Sequence, residues 1–407
     1  MRILHTSDWH LGHTLHDLPR AFEHARFLDW LADTIEAERV DALLVAGDVF
    51  DVANPPAAAQ HTWFATVGGL RKRFPELEIV VIGGNHDSAA RLDAPVPILG
   101  ALGVHVVGGL PRAGGAPDAD RLLVPLRGRG GEVHAWVAAV PFLREADLPV
   151  VDAEDRLVAG VAAVYAGVLD AARARRQRGQ ALLAMGHCYM VGGAISELSE
   201  RKVLGGNQHA LPAAIFPDDV AYAALGHLHL AQAVGGRDGV RYCGSPIPLS
   251  MAEAGYAHQV NLVDLDGEGL ADVRALPVPR AVDMVRLDAG SLEATLLALK
   301  ALPAGGALPE ARWPWLEVSV QLARPEPTLR RQVDEALEGR AARLVRIATR
   351  LTGDGAALGD ARPGLDLRAM TPEEVFRLKY AREYADPPSP ALLAAFHELV
   401  QQVGSES

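Results

Sequence analysis

The chain has 407 residues, 49% of them hydrophobic and 22% charged, with 39 basic against 51 acidic side chains and a formal net charge of -12. That length suits two or three domains that each bury a core, and the composition excludes a disordered, collagen-like or disulfide-built chain. The acidic balance argues against a basic nucleic-acid coat protein, and two cysteines, Cys188 and Cys243, fit a reducing, cytoplasmic compartment.

The opening MRILHTSD carries no basic region followed by an apolar one, so no secretory leader is expected. No apolar run is read as approaching the ~20 residues of a bilayer span, so no membrane association is expected. Arg2–Thr6, Ala42–Ala46 and Ile79–Ile82 are short and rich in leucine, isoleucine and valine, and predict buried strands. Between the first two, Phe22, Ala25, Leu28, Leu31 and Ile35 recur at helical spacing; Trp63, Val67 and Leu70 repeat the pattern in the next interval. Strand, helix, strand, helix, strand is an α/β order with parallel pairing.

From residue 103 onward strands dominate: Val104–Val107, Val133–Val140, Ala181–Met185, Val220–Leu225, Val240–Cys243 and Val260–Val263. Pro111–Asp120, rich in Gly, Pro and Ala, predicts a surface loop. This order suits a two-sheet sandwich flanked by helices better than one open sheet. The run LPVPR near 276–280 punctuates the chain, and a smaller α/β capping unit follows. Its strands are Met284–Leu287, Leu316–Val320 and Leu344–Leu351, with a helix at Thr328–Glu338. The expected divisions are 1–275, 276–352, a linker over 353–370, and a helical pair over 371–402.

That pair is signalled by Thr371-Pro372-Glu373-Glu374, which offers an N-cap, a proline at the first helical position and a capping-box glutamate. Asp386-Pro387-Pro388 ends the first helix, and Ser389-Pro390 starts a second carrying Leu392, Leu393, Phe396, Leu399 and Val400. Two readings stay open: the pair packs back on the capping unit, or it docks a partner helix or coiled coil.

Five motifs follow predicted strands, where ligands gather in α/β proteins. They are Asp8-Trp9-His10, Gly47-Asp48-Val49-Phe50-Asp51, Gly83-Gly84-Asn85-His86-Asp87, Gly186-His187 and Gly226-His227-Leu228-His229. Each has a bland reading as a turn, a helix cap or a satisfied histidine. Together they supply mixed nitrogen and oxygen donors in excess of one tetrahedral site, which suits two metals sharing a bridging carboxylate. The lack of cysteine among them favours manganese or iron over structural zinc.

The order D-x-H, G-D-x-x-D, G-N-H-D, G-H, G-H-x-H resembles the calcineurin-like metallophosphoesterase superfamily. The strings SDWHLGH, AGDVFD, GGNHDS, ISELSERKVLGGNQH, ALGHLH and YCGSPIPLS are more closely similar to its SbcD branch, the nuclease subunits of bacterial SbcCD repair complexes. The resemblance covers residues 1–265. It implies one divalent ion, Mn2+ by expectation, on Asp8, His10, Asp48 and His229, and a second on Asn85, His187 and His227, with Asp48 bridging. It implies a catalytic role for His86, oriented by Asp51. It further implies a homodimer that acts on DNA with an SbcC-like coiled-coil ATPase held by the C-terminal helices. The rivals are a metallophosphoesterase for nucleotides or small phosphodiesters, and a non-catalytic scaffold.

Candidate DNA contacts are Arg71-Lys72-Arg73, Arg201-Lys202 and Arg343, Arg346 and Arg350, each equally readable as a solvated face. Val191–Gly206 is placed over the substrate cleft, Trp313 and Trp315 in the core or rim of the small unit. The Trp63–Leu70 face suits either the core or a dimer contact.

Overall fold

The computed structural model describes residues 1–194, 210–324 and 326–352, with scattered positions between 373 and 396. Among the described residues, fifteen strands of three or more residues form three sheets. In chain order they are β1 (Arg2–Thr6), β2 (Ala42–Ala46), β3 (Glu78–Ile82), β4 (Val104–Val107), β5 (Leu123–Arg127), β6 (Val133–Ala139), β7 (Ala181–His187) and β8 (Tyr222–Gly226). There follow β9 (Gln232–Val234), β10 (Arg237–Tyr242), β11 (Gln259–Asp266), β12 (Gly269–Pro277), β13 (Met284–Ser291), β14 (Trp315–Leu322) and β15 (Arg343–Leu351).

The first six-stranded sheet runs β12-β11-β1-β2-β3-β4 and the second β9-β10-β8-β7-β6-β5. Within the first, β1 to β4 pair in parallel, while β11 is antiparallel to β1. Within the second, β6, β7, β8 and β10 are parallel. Strand alternation explains why the two sheets stack: Ile3, Leu44, Val80 and Ile82 point to the inter-sheet core, joined there by Leu183 and Ala224 of the second sheet. Their neighbours Leu4, Leu43, Val45, Ile79 and Val81 point the other way. They meet α1 (Ala21–Ala37) and α2 (Ala57–Arg73) through Phe27, Leu31, Trp63, Val67 and Leu70. The Trp63–Leu70 face therefore belongs to the core.

The two-sheet sandwich agrees with the expected fold. Among the elements that escaped the sequence reading are β5, β9, β12, a helix at Leu292–Lys300 and the helix α3 (Arg156–Arg175). That helix is long and apolar enough to cross a membrane by length and composition alone, contrary to the expectation of no such run. Its Val161, Val164, Tyr165, Val168, Leu169 and Ala172 are buried in the core of the sandwich. Strand β12 runs on through Pro277 into the LPVPR punctuation. Pro111–Asp120, expected as a loop, includes a two-residue ladder.

Strands β13, β14 and β15 form the third sheet, accompanied by α4 (Leu292–Lys300) and α5 (Leu329–Leu337). By compactness, residues Met1–Val320 and Thr328–Ala348 make one unit, and Gln321–Pro327 with Thr349–Ser407 make the other. In the second unit Glu373, Phe376, Arg377, Lys379 and Tyr380 are helical, as are Leu392, Leu393, Ala395 and Phe396. Phe376 stacks on Phe396 with ring centroids 4.4 Å apart. The expected linker over 353–370, with the rest of the tail, lies outside the described residues.

Candidate metal centre

All five motifs converge at the carboxyl ends of strands. Asp8 and His10 follow β1, Asp48 follows β2, Asn85 and His86 follow β3, His187 ends β7, and His227 and His229 follow β8. The backbone there is forced: Asp8, His10, Asp48 and His227 all have positive φ, at 54°, 47°, 49° and 105°. Such conformations cost of order 1–3 kcal/mol each for residues with a Cβ and persist only where the surroundings over-determine them. Here the two ligand loops are zipped together. Asp8 N–H donates to Gly47 O and His10 N–H to Asp48 O, both at 3.0 Å, and Leu11 N–H to Val49 O at 2.9 Å. Gly84 leaves room for this crossing: a Cβ on it would lie 2.2 Å from Asp48 Oδ1.

Four imidazoles are oriented alike. Each Nδ1 faces an oxygen: His187 the Ala46 carbonyl at 2.9 Å, His229 the Glu253 carboxylate at 2.9 Å, His10 the Asp51 carboxylate at 3.2 Å, and His86 the Asp51 carbonyl at 2.7 Å. An Nδ1–H donated this way fixes the tautomer that presents Nε2 as the lone-pair nitrogen, the outer support a metal-ligating histidine needs. His227 is turned the other way, its Nδ1 lying 2.9 Å from Asn85 Oδ1, and His187 Nε2 lies 2.9 Å from the same oxygen. Asp48 Oδ2 lies 3.5 Å from His10 Nε2 and 3.3 Å from His187 Nε2, between the two clusters.

The donor atoms of Asp8, His10 and His229 all lie within 4.8 Å of one another, as do those of Asp8, Asp48 and His187. A third such group, His10, Asp48 and His86, brings the expected acid within reach of two ligands. The donor chemistry fits divalent ions. Two carboxylates and several imidazoles converge, and His10 Nε2 is buried with no protein hydrogen-bond partner.

Charge at the centre follows from burial and proximity. Burial alone would neutralise His187, but Asp48 beside it raises it to about 9. Burial likewise opposes charge on Asp48, yet His187 holds it well below the usual carboxylate range. His227 is pushed down to about 3 by burial and then by His187. Burial also lowers His86, against the opposing pull of Asp48.

Residues 1–231 match the calcineurin-like phosphoesterase family, and residues 280–384 match the type 5 capsule protein repressor C-terminal domain. The SbcD component of the SbcCD nuclease from Rhodobacter capsulatus is 45% identical over 388 residues, 92% of this chain and 93% of that protein. Its counterpart in Escherichia coli K12 is 39% identical over 73% of each chain. The chain belongs to the SbcD family of calcineurin-like phosphoesterases.

Within this SbcD-family site, Asp51 meets His86 through its backbone carbonyl, while its carboxylate faces His10. Two supporting residues were missed. Buried Glu253, from a single turn at Met251–Gly255, accepts from His229 and from Leu249 N–H at 2.8 Å. Asp87 accepts from Gly84, Val49 and Phe50 N–H at 2.9, 3.1 and 2.9 Å, pinning the second and third motif loops together. Asp87 was visible in the GNHD string as an acid adjoining two site residues; Glu253 had no such marker.

Several basic candidates are engaged elsewhere. Arg71 donates to the Leu77 and Pro75 carbonyls, Arg73 pairs with Asp33 and Glu36, and Arg343 lies over Trp315 while donating to the Trp313 carbonyl. Arg346 lies 3.7 Å from Glu317. Arg201 and Lys202, and most of the Val191–Gly206 segment, lie outside the described residues.

Proposed function

We propose that this chain is the nuclease component of a two-part DNA-processing assembly. It would hydrolyse DNA phosphodiesters with two divalent ions, Mn2+ by preference, and act as an exonuclease on duplex ends and an endonuclease on single strands during DNA break repair. The observation that carries the reading is the joint one: 45% identity over 92% of the chain to an SbcD protein of the SbcCD nuclease, with Asp8, His10, Asp48, His187 and His229 gathered in candidate metal groups and Asn85 and His227 hydrogen-bonded beside them. Asp8, His10, Asp48 and His229 would hold one ion and Asn85, His187 and His227 the other, with Asp48 shared.

When bound, such ions acidify water and neutralise the oxygens of a phosphodiester, the two obstacles to its hydrolysis. The protein's own part is orientation and proton transfer. Paired Nδ1–H bonds aim the imidazoles of His10, His187 and His229, and the left-handed turns aim Asp8 and Asp48. His86, tied through Nδ1 to the Asp51 carbonyl, presents Nε2 to hold a proton for the departing oxygen. Asp51 acts as a positioning residue through two groups, its carbonyl on His86 and its carboxylate on His10.

An SbcC-like ATPase is the proposed partner, docked on the 371–402 segment, where the ring stack of Phe376 on Phe396 supports a helical pair. A homodimer and a cytoplasmic location complete the reading, and the proposed domains remain 1–275, 276–352 and the tail. The rival is a phosphoesterase for nucleotides or small phosphodiesters. Purified chain with Mn2+ should cleave both linear duplex DNA and a chromogenic phosphodiester, and lose both activities in EDTA. Cleavage of the small substrate alone, with DNA untouched in the presence of the ATPase, would select the rival.

A further inference from the structure

The third sheet meets the nuclease body through a buried polar clamp. Trp315, on β14, is 1% exposed and donates its indole N–H to Glu23 at 3.2 and 3.1 Å. Glu23 is in turn held by both Nε and Nη2 of Arg20, each at 2.5 Å, and all three side chains are buried. Arg20 lies 5.5 Å from the centroid of the Trp315 ring, and Arg343 lies 3.6 Å from it on the same indole. A buried arginine, glutamate and indole held in one network fix geometry more than they add stability, because desolvation offsets much of their attraction.

What the clamp holds is the start of α1, and α1 holds the first motif. Arg20 N–H donates to the His13 carbonyl at 3.3 Å, and His13 N–H donates to the His10 carbonyl at 2.9 Å. One turn along, buried His24 places Nε2 2.9 Å from the Trp9 carbonyl, midway between Asp8 and His10. Asp8 and His10 are two of the residues in left-handed backbone, so they depend on such outside support.

A second contact converges on the same place. Met284 and Val282 of the small sheet's first strand region pack with Trp315, Leu15 and Met251 in one apolar cluster. Met251 opens the turn that carries Glu253, and Glu253 holds His229. Thus the small sheet touches the supports of Asp8, His10 and His229. The side chains of the other subsite, by contrast, take their partners away from the clamp, Ala46 of β2 for His187 and Asn85 for His227, and only the backbone N–H of His227 reaches back to Asp8.

We propose that Trp315, Glu23 and Arg20 are positioning residues through which the small domain sets the metal affinity of the Asp8–His10–His229 subsite, leaving the Asn85–His187–His227 subsite to the large sheets. This deepens the two-ion reading above and rests on it. A displacement of the small domain, by partner or DNA, would then change one ion's affinity before the other's.

The test uses the full chain, stripped of metal and titrated with Mn2+, with free ion counted by its electron paramagnetic resonance signal. Wild type should bind in two resolvable steps. Trp315→Phe keeps an aromatic ring and removes the N–H; it should weaken one step about tenfold, the lower end of what loss of an outer-shell contact costs, and leave the other within twofold. Glu23→Gln should weaken the same step. Leu299→Ala, in the core of the small domain but outside the clamp, should lower the melting midpoint and leave both steps in place. Two steps in wild type with both unchanged in Trp315→Phe would overturn the clamp alone. So would equal weakening of both steps, or a Leu299→Ala titration that copies Trp315→Phe. Fewer than two ions in wild type would overturn the clamp together with the two-ion reading.

Discussion

A histidine with Nδ1 committed to a backbone carbonyl has one nitrogen left for chemistry, and the His86 ring brings a nitrogen within 4.8 Å of donor atoms of His10 and Asp48. Distance alone would let it serve as ligand or acid. The two roles separate on substitution. As an acid, His86→Ala should keep full metal content by elemental analysis and lose about 10²- to 10⁴-fold in turnover, the usual contribution of general acid catalysis. As a ligand, it would lose metal along with activity. The same residue shows how far sequence reading reaches. The G-N-H-D string names His86 as chemically important, but not whether a side chain or a carbonyl orients it. Asp51 does both jobs with different atoms, and residue type cannot announce which atom turns where.

At the scale of elements, the site exists because two strand ends from different sheets almost touch. Gly226, at the end of β8, faces the end of β2 so closely that a Cβ would fall 1.9 Å from the Ala46 carbonyl oxygen and 2.9 Å from His187 Nδ1. Its φ is not in the left-handed region, so the requirement is purely one of space. Gly226→Ala should push the sheets apart where they carry ligands from both sides, costing about 3 kcal/mol, the upper end for overpacking. Urea denaturation of the metal-free chain reads this directly. Gly167→Ala is the control: in α3 it meets nothing within 4 Å, so it should gain about 0.5 kcal/mol from reduced unfolded-chain entropy. A midpoint for Gly226→Ala at or above wild type would remove the close approach from the account. The strands that end at Gly226 and Ala46 were legible because they are short, buried on both faces and continuously apolar. Strand β12 was not, since GLADVRALP sits at a sheet edge with most residues partly or fully exposed. Helix α3 was missed for the opposite reason: it is apolar on so much of its surface that its period is weak. Glu253 lies outside any motif, and only the folding of β10, its following turn and β11 brings it beneath His229.

Across the whole molecule, the centre joins two sheets that share no strand. Asp8, His10, Asp48 and Asn85 come from the first sheet, while His187, His227 and His229 come from the second. Divalent ions held there would tie the sandwich together at one rim, and an unfolded chain has no such site. Two of them would add four positive charges to a chain of formal charge -12, so attraction for DNA has to be local. Linkage then sets the size of the effect: each ion present at a hundredfold its dissociation constant adds about 2.7 kcal/mol. Adding Mn2+ to the stripped chain should raise its melting midpoint by several degrees, and EDTA should reverse the rise. The pH dependence has a definite sign. Without metal, His187 sits at about 9 rather than near 6.5, because Asp48 overcomes the effect of burial. That raised value stabilises the metal-free fold fully below about 6.5, and the contribution disappears as pH climbs through about 9. A metal must displace that proton, so metal affinity rises over the same window while the metal-free chain weakens. The gap between the melting midpoints with and without Mn2+ should widen from pH 6.5 to 9. A gap that is constant or narrows on scanning calorimetry would mean that His187 is not where the ion and the proton compete.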